Sequence, residues 1–323
     1  MDVSSNRTSE WPLITPVVSV PILDVFLLVN DFALCCSISL LGVLTNLANI
    51  IVFIKMGFAD TSNMSFLTLS VFDFLVSLAA LISKSCYSPV LRGLVHLPTA
   101  TAISSVLTLL MFCSVGGSAM TTALIATERC LCVVFPLKMK TLTTQRRVLY
   151  LLLLIVAYHV AFLVLLYADT GPPYDNYSRK MGLYYFSFYA VPSTTCFFIV
   201  LLATIAMVTR LNRNLQWRRE TTQQSDKTID KESRIAKTIT AISTIFIVCF
   251  FPNVANFIAQ AIYPAYNYSD PYLWSLITVV FSFCGVLQAI SSSINILFYY
   301  RMSSRYKKVF SSCFSFGRGS CKD

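Results

Sequence analysis

Long apolar stretches alternate with short polar segments along the chain, and this pattern dominates the sequence. Each stretch exceeds the roughly 20 residues that an α-helix needs to cross about 30 Å of hydrocarbon. A core helix of a soluble protein normally carries a polar stripe, which these stretches lack. The pattern therefore predicts an all-α membrane protein, a seven-transmembrane helix bundle, with helices near residues 26–54, 64–86, 101–134, 146–168, 183–211, 234–263 and 272–300.

The basic residues predict how this bundle is oriented. Of the 25 lysines and arginines, 20 fall in segments on one side of the predicted membrane, which is typical of the cytoplasmic side. An odd number of spans places the two termini on opposite sides, so we expect the N-terminus outside. Because topology accounts for the net charge of +10, no nucleic-acid partner is expected.

Glycosylation sequons indicate the same orientation independently. Asn6, Asn176 and Asn267 each begin an Asn-x-Ser/Thr sequence in a segment assigned to the outside, whereas Asn63 falls inside. We therefore expect N-glycans at the first three positions only. The chain then has three parts, an extracellular N-terminal segment, a seven-helix domain, and a cytoplasmic tail that starts with an amphipathic helix on the inner leaflet, at residues 1–25, 26–300 and 301–323.

The composition argues against a membrane enzyme. The chain has eleven cysteines without zinc-ligand spacing and only two histidines, His96 and His159. No cluster of catalytic residues is visible, so neither enzymatic activity nor a covalent cofactor is expected. A transporter or channel is an alternative, but the sequence shows no internal repeat, and Asp73 is the only acidic residue predicted deep within a span.

Asp73 lies in the second apolar stretch, where an unpaired carboxylate would be costly. Polar residues of other predicted helices fall at depths where the bundle could gather them around it: Asn46, Ser118, Ser291, Ser292 and Asn295. Two interpretations stay open at this point. Asp73 is either a hydrogen-bonded structural aspartate or part of a hydrated cation pocket that collapses on activation.

Five short motifs occur in a characteristic order along the predicted helices. They are Gly42…Asn46, Leu69…Asp73, Glu128-Arg129-Cys130, Phe246-x-x-Cys249-Phe250-x-Pro252 and Asn295-Ile296-Leu297-Phe298-Tyr299. In these motifs the chain resembles the rhodopsin-like (class A) G-protein-coupled receptors. The segment from Asn295 to Tyr306 is similar to that of invertebrate, particularly molluscan, chemosensory and neuropeptide-type receptors.

The resemblance implies roles for particular residues and a location in the plasma membrane. A sodium ion would bind at Asp73, Ser118, Ser291, Ser292 and Asn295. Coupling to a heterotrimeric G protein and the activation switch would involve Glu128, Arg129, Glu232, Phe246, Phe250, Pro252 and Tyr299. Two cysteines after the last span, Cys313 and Cys321, correspond to palmitoylation sites.

Glu232 has two interpretations. It lies 20 residues before Pro252, where the family often places the acid that holds the arginine matching Arg129. It also belongs to the charged run over residues 230–234, which could simply be solvated. Both interpretations stay open.

The resemblance also limits the extracellular ligand. Met111 stands where amine receptors carry an aspartate, and Ala289 stands where opsins carry the retinal lysine, so neither ligand is expected. Lys84 either extends to the membrane interface, which we favour, or pairs with an anionic ligand. The implied outer cavity suits a small organic molecule or a short peptide and is formed by Met111, Phe112, Tyr184, Phe188, Asn253, Phe257, Phe281 and Gln288.

Several positions depart from the family pattern. Ser104 replaces the cysteine that usually ties the third helix to an outer loop, and residues 169–182 contain no cysteine. Phe250 replaces a tryptophan, and Ile296 replaces a proline. The resemblance thus implies a receptor that converts binding of an extracellular ligand into activation of a G protein, with a receptor-shaped protein that no longer signals as the alternative.

Overall fold

The computed structural model describes residues 15–87, 97–135, 144–170, 177–221 and 227–314. Seven helices in these ranges are long and apolar enough to cross a membrane, which confirms the predicted seven-helix membrane fold. A shorter helix follows them. The helices are Val20–Met56 (α1), Thr61–Tyr87 (α2), Leu97–Val134 (α3), Gln145–Thr170 (α4), 177–221 (α5), Lys227–Ile262 (α6), 274–302 (α7) and Ser304–Phe314 (α8).

Most of these helices extend beyond the apolar stretches that predicted them. α1 begins at Val20 instead of near residue 26, and α6 begins at Lys227 instead of near residue 234. Polar residues continue or cap the helices at such ends. The Asp60 carboxylate, for example, accepts a hydrogen bond from the backbone N–H of Ser62 at 3.0 Å, so it satisfies a donor in the first turn of α2.

Two of the spanning helices contain a π-helical segment, Leu28–Cys35 in α1 and Tyr185–Ala190 in α5. The second segment directly precedes Pro192, whose ring would clash with the carbonyl four residues earlier in a regular α-helix. A wider turn at this place relieves that clash. The first segment contains two polar residues, Asn30 and Asp31. Such π-bulges are frequent at functional sites.

α3 lies at the centre of the bundle. In its apolar window 67% of the residues are buried, compared with 22% in α4, which therefore lies at the periphery. The small side chains of Ala119, Ala123 and Ala126 on α3 belong to a core cluster with residues of α5 and α6. Small residues of this kind allow neighbouring helices to approach closely.

A glycine pair on α3 brings the neighbouring helices especially close. The ring of Phe72 on α2 occupies the space where a Cβ on Gly117 would stand. His159 of α4 reaches the adjacent Gly116, because a Cβ there would lie 2.8 Å from the His159 Nε2. We call Gly116 and Gly117 the α3 notch. It holds the aromatic side chains of two helices against the central one.

α8 packs back against the last turns of α1 and α7. The Tyr306 hydroxyl donates to the Asn49 Oδ1 at 2.6 Å, and the Arg305 Nη2 donates to the Met56 carbonyl at 2.8 Å. Phe310 is half-buried, whereas Lys307 on the same helix is exposed. α8 is therefore amphipathic, as predicted for the segment after the seventh span.

The sequons at Asn63 and Asn267 differ sharply in the structure. Asn63 is buried and donates from its amide to the Gly57 carbonyl at 3.2 Å, whereas Asn267 is exposed in the turn between α6 and α7. Asn6 and Asn176 lie outside the described residues.

We expect Asn267→Gln to remove one N-glycan and Asn63→Gln to remove none, because only an exposed asparagine on the luminal side is a substrate. Electrophoretic mobility with and without peptide-N-glycosidase treatment measures the difference. A glycan that disappears with Asn63→Gln would reverse the assigned orientation.

Candidate functional site

Asp73 is the centre of a buried polar pocket between α2, α3 and α7. Its side chain is buried, and each carboxylate oxygen accepts a hydrogen bond from a different helix. The Ser118 hydroxyl donates to Oδ1 at 2.7 Å, and the Asn295 amide donates to Oδ2 at 2.8 Å. Three helices therefore converge on one carboxylate, as a buried charge requires.

A second layer of hydrogen bonds extends the pocket to α1. The Ser77 hydroxyl donates to the Asp73 carbonyl at 2.8 Å and lies 3.3 Å from the Ser292 hydroxyl. The Asn46 amide donates to the Ser292 carbonyl at 2.8 Å. Ser77 was not among the predicted pocket residues, although its position one helical turn after Asp73 places it on the same face of α2.

Ser291 is the one predicted member of this pocket that the structure does not connect to Asp73. It is half-buried, and among the described hydrogen bonds none joins it to the other pocket residues. Ser292 faces the pocket, and α7 breaks two residues further along the chain. Ile294 interrupts the helix between Ser293 and Asn295, and the Leu297 N–H donates to the Ile294 carbonyl at 3.1 Å.

The chemistry of the pocket fits a small hard cation. A single carboxylate is surrounded by hydroxyl and amide groups of Ser77, Ser118, Ser292 and Asn295, and oxygen ligands are those that such cations prefer. Among the described residues no group of three or more histidine, cysteine, aspartate or glutamate side chains could hold a metal ion.

A cavity of about 740 Å³ opens among α2, α3, α5, α6, α7 and the turn between α6 and α7. Its volume is within the range of sites that bind small molecules. Three of the predicted ligand residues lie on its wall, Met111, Phe112 and Phe281. The sequence did not single out the other aromatic lining residues, Tyr185, Phe186, Tyr266 and Tyr268. Tyr185 and Phe186 face the cavity because of the π-helical turn in α5. Tyr266 and Tyr268 face it from the turn between α6 and α7.

The other predicted ligand residues lie elsewhere. Tyr184 and Phe188 stack on each other at 5.8 Å and pack against Phe162 of α4. Phe257 belongs to the core cluster, with its ring 5.5 Å from that of Tyr189. Two further residues, Asn253 and Gln288, are buried within the bundle. None of these five is among the described residues that line the cavity.

Tyr266 fixes the turn that covers part of the cavity. Its hydroxyl donates to the Asn256 Oδ1 of α6 at 3.0 Å. Burial raises the pKa of the Tyr266 hydroxyl above its usual value, so the group stays protonated and keeps its donor at physiological pH. The turn is thereby tied to α6.

Lys84 differs from the expectation that its side chain extends to the membrane interface. Its ammonium lies 2.8 Å from the Asp31 Oδ2, and it lines the cavity. Asp31 also accepts a hydrogen bond from the Ser282 hydroxyl at 2.6 Å. Asp31 is thus an acidic residue of the first spanning helix with partners on two other helices. The π-helical segment of α1 presents it to α2 and α7.

At the opposite end of α3 lies the predicted coupling arginine. The Arg129 guanidinium donates to the Ser62 hydroxyl at the start of α2. Glu128 is buried, and among the described hydrogen bonds its Oε1 has no partner. Glu232 belongs to α6, but its side chain lies outside the described residues. The structure therefore shows Arg129 held by α2.

The predicted switch residues lie within two packed clusters. The rings of Phe246 and Phe250 on α6 stack at 5.1 Å in the central core. Pro252 lies inside the same helix, two residues after Phe250. Tyr299 of α7 packs between Phe53 and Tyr306, and its hydroxyl is buried without a described partner. Each cluster joins helices that a rearrangement of α6 or α7 would separate.

Two cysteines after the last span were predicted as palmitoylation sites. Cys313 is half-buried on α8 and packs beside the cluster around Tyr299, and Cys321 lies outside the described residues. None of the cysteines in the described part of the chain forms a disulfide.

A bundle of seven membrane-spanning helices, with a cavity at one end and a buried polar pocket beneath it, defines a multi-pass membrane protein of the receptor class. The sequence matches the family model "7 transmembrane receptor (rhodopsin family)" over residues 45–299, and the chain belongs to this family. No curated protein matches the sequence significantly.

Proposed function

We propose that this protein is a plasma-membrane receptor that converts binding of an extracellular ligand into activation of a heterotrimeric G protein. The observation that carries the proposal is that one helix joins both sites. α3 contributes Met111 and Phe112 to the cavity and ends near Arg129. Seventeen residues separate Phe112 from Arg129, or about 26 Å at 1.5 Å per residue. The ligand is a small organic molecule or a short peptide, as in chemosensory and neuropeptide-type receptors.

The proposed mechanism is a population shift between two packings of the bundle. The Phe246–Phe250 stack lies in the core between cavity and inner face, and Pro252 interrupts the hydrogen bonds of α6 beside it. A ligand that favours a different packing of these rings moves the inner half of α6. Arg129 then becomes available to the G protein, and Glu232 holds it in the resting state.

Two kinds of modification and the orientation belong to the same proposal. The N-terminus lies outside, N-glycans occupy Asn6, Asn176 and Asn267, and palmitate on Cys313 and Cys321 anchors the tail. The exposed position of Asn267 and the half-buried position of Cys313 beside the amphipathic face of α8 support these assignments.

Nucleotide exchange tests the function directly. The full chain in lipid nanodiscs should accelerate uptake of a non-hydrolysable GTP analogue by at least one purified heterotrimeric G protein, since class A bundles populate the active packing without ligand to some extent. Exchange at the rate of empty nanodiscs, across representatives of each G-protein class and a panel of candidate ligands, would favour a receptor-shaped protein that does not signal.

Asp73→Asn is expected to remove the effect of sodium on this exchange while leaving folding nearly normal. A sodium ion bound by Asp73, Ser118 and Ser292 would stabilise the resting packing, and asparagine supplies no negative charge. Basal exchange is measured at 10 and 150 mM sodium chloride, with potassium chloride keeping the ionic strength constant.

Asp24→Asn is the matched control, because Asp24 is an exposed carboxylate on α1. It should retain the full sodium response. Equal sodium dependence of Asp73→Asn and the parent would leave Asp73 with the structural role only.

A further inference from the structure

The positive charge on the wall of the outer cavity is balanced by a carboxylate of the protein itself. Lys84 is the one charged residue among the described lining residues, and its ammonium pairs with Asp31 behind the wall at 2.8 Å. The side chains of the two residues are 23% and 17% exposed, so water screens the pair only in part. The wall therefore presents hydrogen-bond donors without a net charge.

The two partners of this pair differ in how far their hydrogen bonds are satisfied. Asp31 accepts from Lys84 through Oδ2 and from Ser282 through Oδ1. Ser282 in turn accepts from the Asn30 amide at 2.7 Å, so the acidic side of the pair is fixed by α1 and α7. An ammonium has three donors, and the described hydrogen bonds use one of those of Lys84. Donor capacity thus remains on the side that faces the cavity.

Tyr185 also lines the cavity and carries a polar group without a described partner. The Tyr185 hydroxyl is buried, and no described hydrogen bond satisfies it. A buried hydroxyl without a partner is costly, and a ligand that supplies one recovers that cost. Phe112 packs edge to face on Tyr185 at 5.2 Å, which fixes the ring at the cavity wall.

We propose that the outer cavity selects an uncharged, partly aromatic small molecule that accepts a hydrogen bond from Lys84 and makes another with Tyr185, and that Asp31 excludes anions. An anion would approach Lys84 against the nearby Asp31 carboxylate. A cation would find no free carboxylate among the described lining residues. Either charge would lose its hydration without a counterion, which is the costly case in a poorly hydrated site.

This inference rests on the proposed function only in taking the cavity as the ligand site. The test therefore measures binding alone, to the full chain purified in lipid nanodiscs without G protein. Three probes share one skeleton and differ in charge: 3-phenylpropionamide, 3-phenylpropionate and 3-phenylpropylammonium. Ligand-observed nuclear magnetic resonance at millimolar concentration gives their dissociation constants. A receptor that binds as expected but does not signal would contradict the proposed function and leave this inference intact.

The parent chain is expected to bind the amide about tenfold more tightly than either charged probe, because each charged probe loses its hydration without a free counterion, and a difference of about 1.4 kcal/mol is tenfold. Asp31→Asn frees the charge of Lys84, so it should reverse the order and favour the propionate. Lys84→Met frees the charge of Asp31 and should favour the ammonium. Tyr185→Phe should weaken the amide without changing the order of the probes.

Two further variants keep the result decisive. Asp24→Asn removes a negative charge from α1 two turns away, so it should leave the order of the probes unchanged. The double variant Asp31→Asn with Lys84→Met keeps the wall neutral and should still favour the amide, even where a single variant does not fold. Tighter binding of the propionate to the parent, an unchanged order in both Asp31→Asn and Lys84→Met, or no binding of any probe would each overturn the proposal.

Discussion

Arg129→Ala is expected to abolish G-protein activation, with nucleotide exchange falling to the rate of empty nanodiscs. Arg129 lies near the end of the central helix that is opposite the cavity, and in the structure its guanidinium donates to Ser62 on α2. That bond holds the side chain against the bundle in the resting packing. In the proposed mechanism the released guanidinium is the group that the G protein binds, and alanine offers no replacement. Binding of 3-phenylpropionamide to the distant cavity should be unchanged.

Glu232→Ala and Ser62→Ala test what holds Arg129 at rest. A partly buried ion pair or charged hydrogen bond that contributes roughly 1–2 kcal/mol to the resting packing alone shifts the resting-to-active ratio about 5- to 30-fold when it is lost. Each variant should therefore raise ligand-free exchange at matched receptor concentration. The larger increase identifies the stronger restraint. If Glu232→Ala leaves ligand-free exchange unchanged, Glu232 belongs to the solvated charged run over residues 230–234. Full signalling by Arg129→Ala would contradict the mechanism.

Among substitutions that add a single methyl group to the transmembrane core, Gly117→Ala is expected to destabilise the protein most. The Phe72 ring occupies the space of the added Cβ, and Phe72 itself is buried. Ring and helix cannot both stay in place, and overpacking of this kind costs about 1–3 kcal/mol. The midpoint of thermal unfolding in detergent should fall by several degrees, and less protein should reach the cell surface.

Gly285→Ala provides the matched control. Gly285 is also buried within a spanning helix, but nothing lies within 4 Å of the Cβ that alanine would add. That variant should unfold at or slightly above the parental temperature, because alanine is the better helix former. Adding Phe72→Leu to Gly117→Ala should restore part of the loss. Equal effects of the two alanine variants would show that the α3 notch does not depend on close packing.

The Asp73 pocket could be largely predicted because depth in the membrane follows from position along a helix. Asp73, Ser118 and Asn295 each lie well inside an apolar stretch, and a buried carboxylate must find donors at its own depth. The structure places both donors on it. Position along the helix does not specify rotation about its axis. Ser291 and Ser292 are consecutive, and only the break at Ile294 and the packing of α7 decide that Ser292 faces the pocket.

The ligand cavity was less predictable, because its wall is formed by irregular structure. Tyr184 directly precedes the π-helical segment that places Tyr185 on the wall, and Phe188 lies within it. Such a segment changes which side chains share a face. No local pattern of apolar residues reveals such a segment. Three predicted residues on the wall, Met111, Phe112 and Phe281, belong to regular α-helical stretches of α3 and α7.

The sequence by itself determined the seven spans and their membrane environment, because a bilayer about 30 Å thick imposes a length on every apolar stretch regardless of its neighbours. Tertiary structure alone decided which polar residues meet. Asp31 and Lys84 are 53 residues apart, and Ser282 reaches the same carboxylate from α7. Their meeting depends on the π-helical turn of α1 and the lateral packing of three helices, and side chains distant in the chain set that packing.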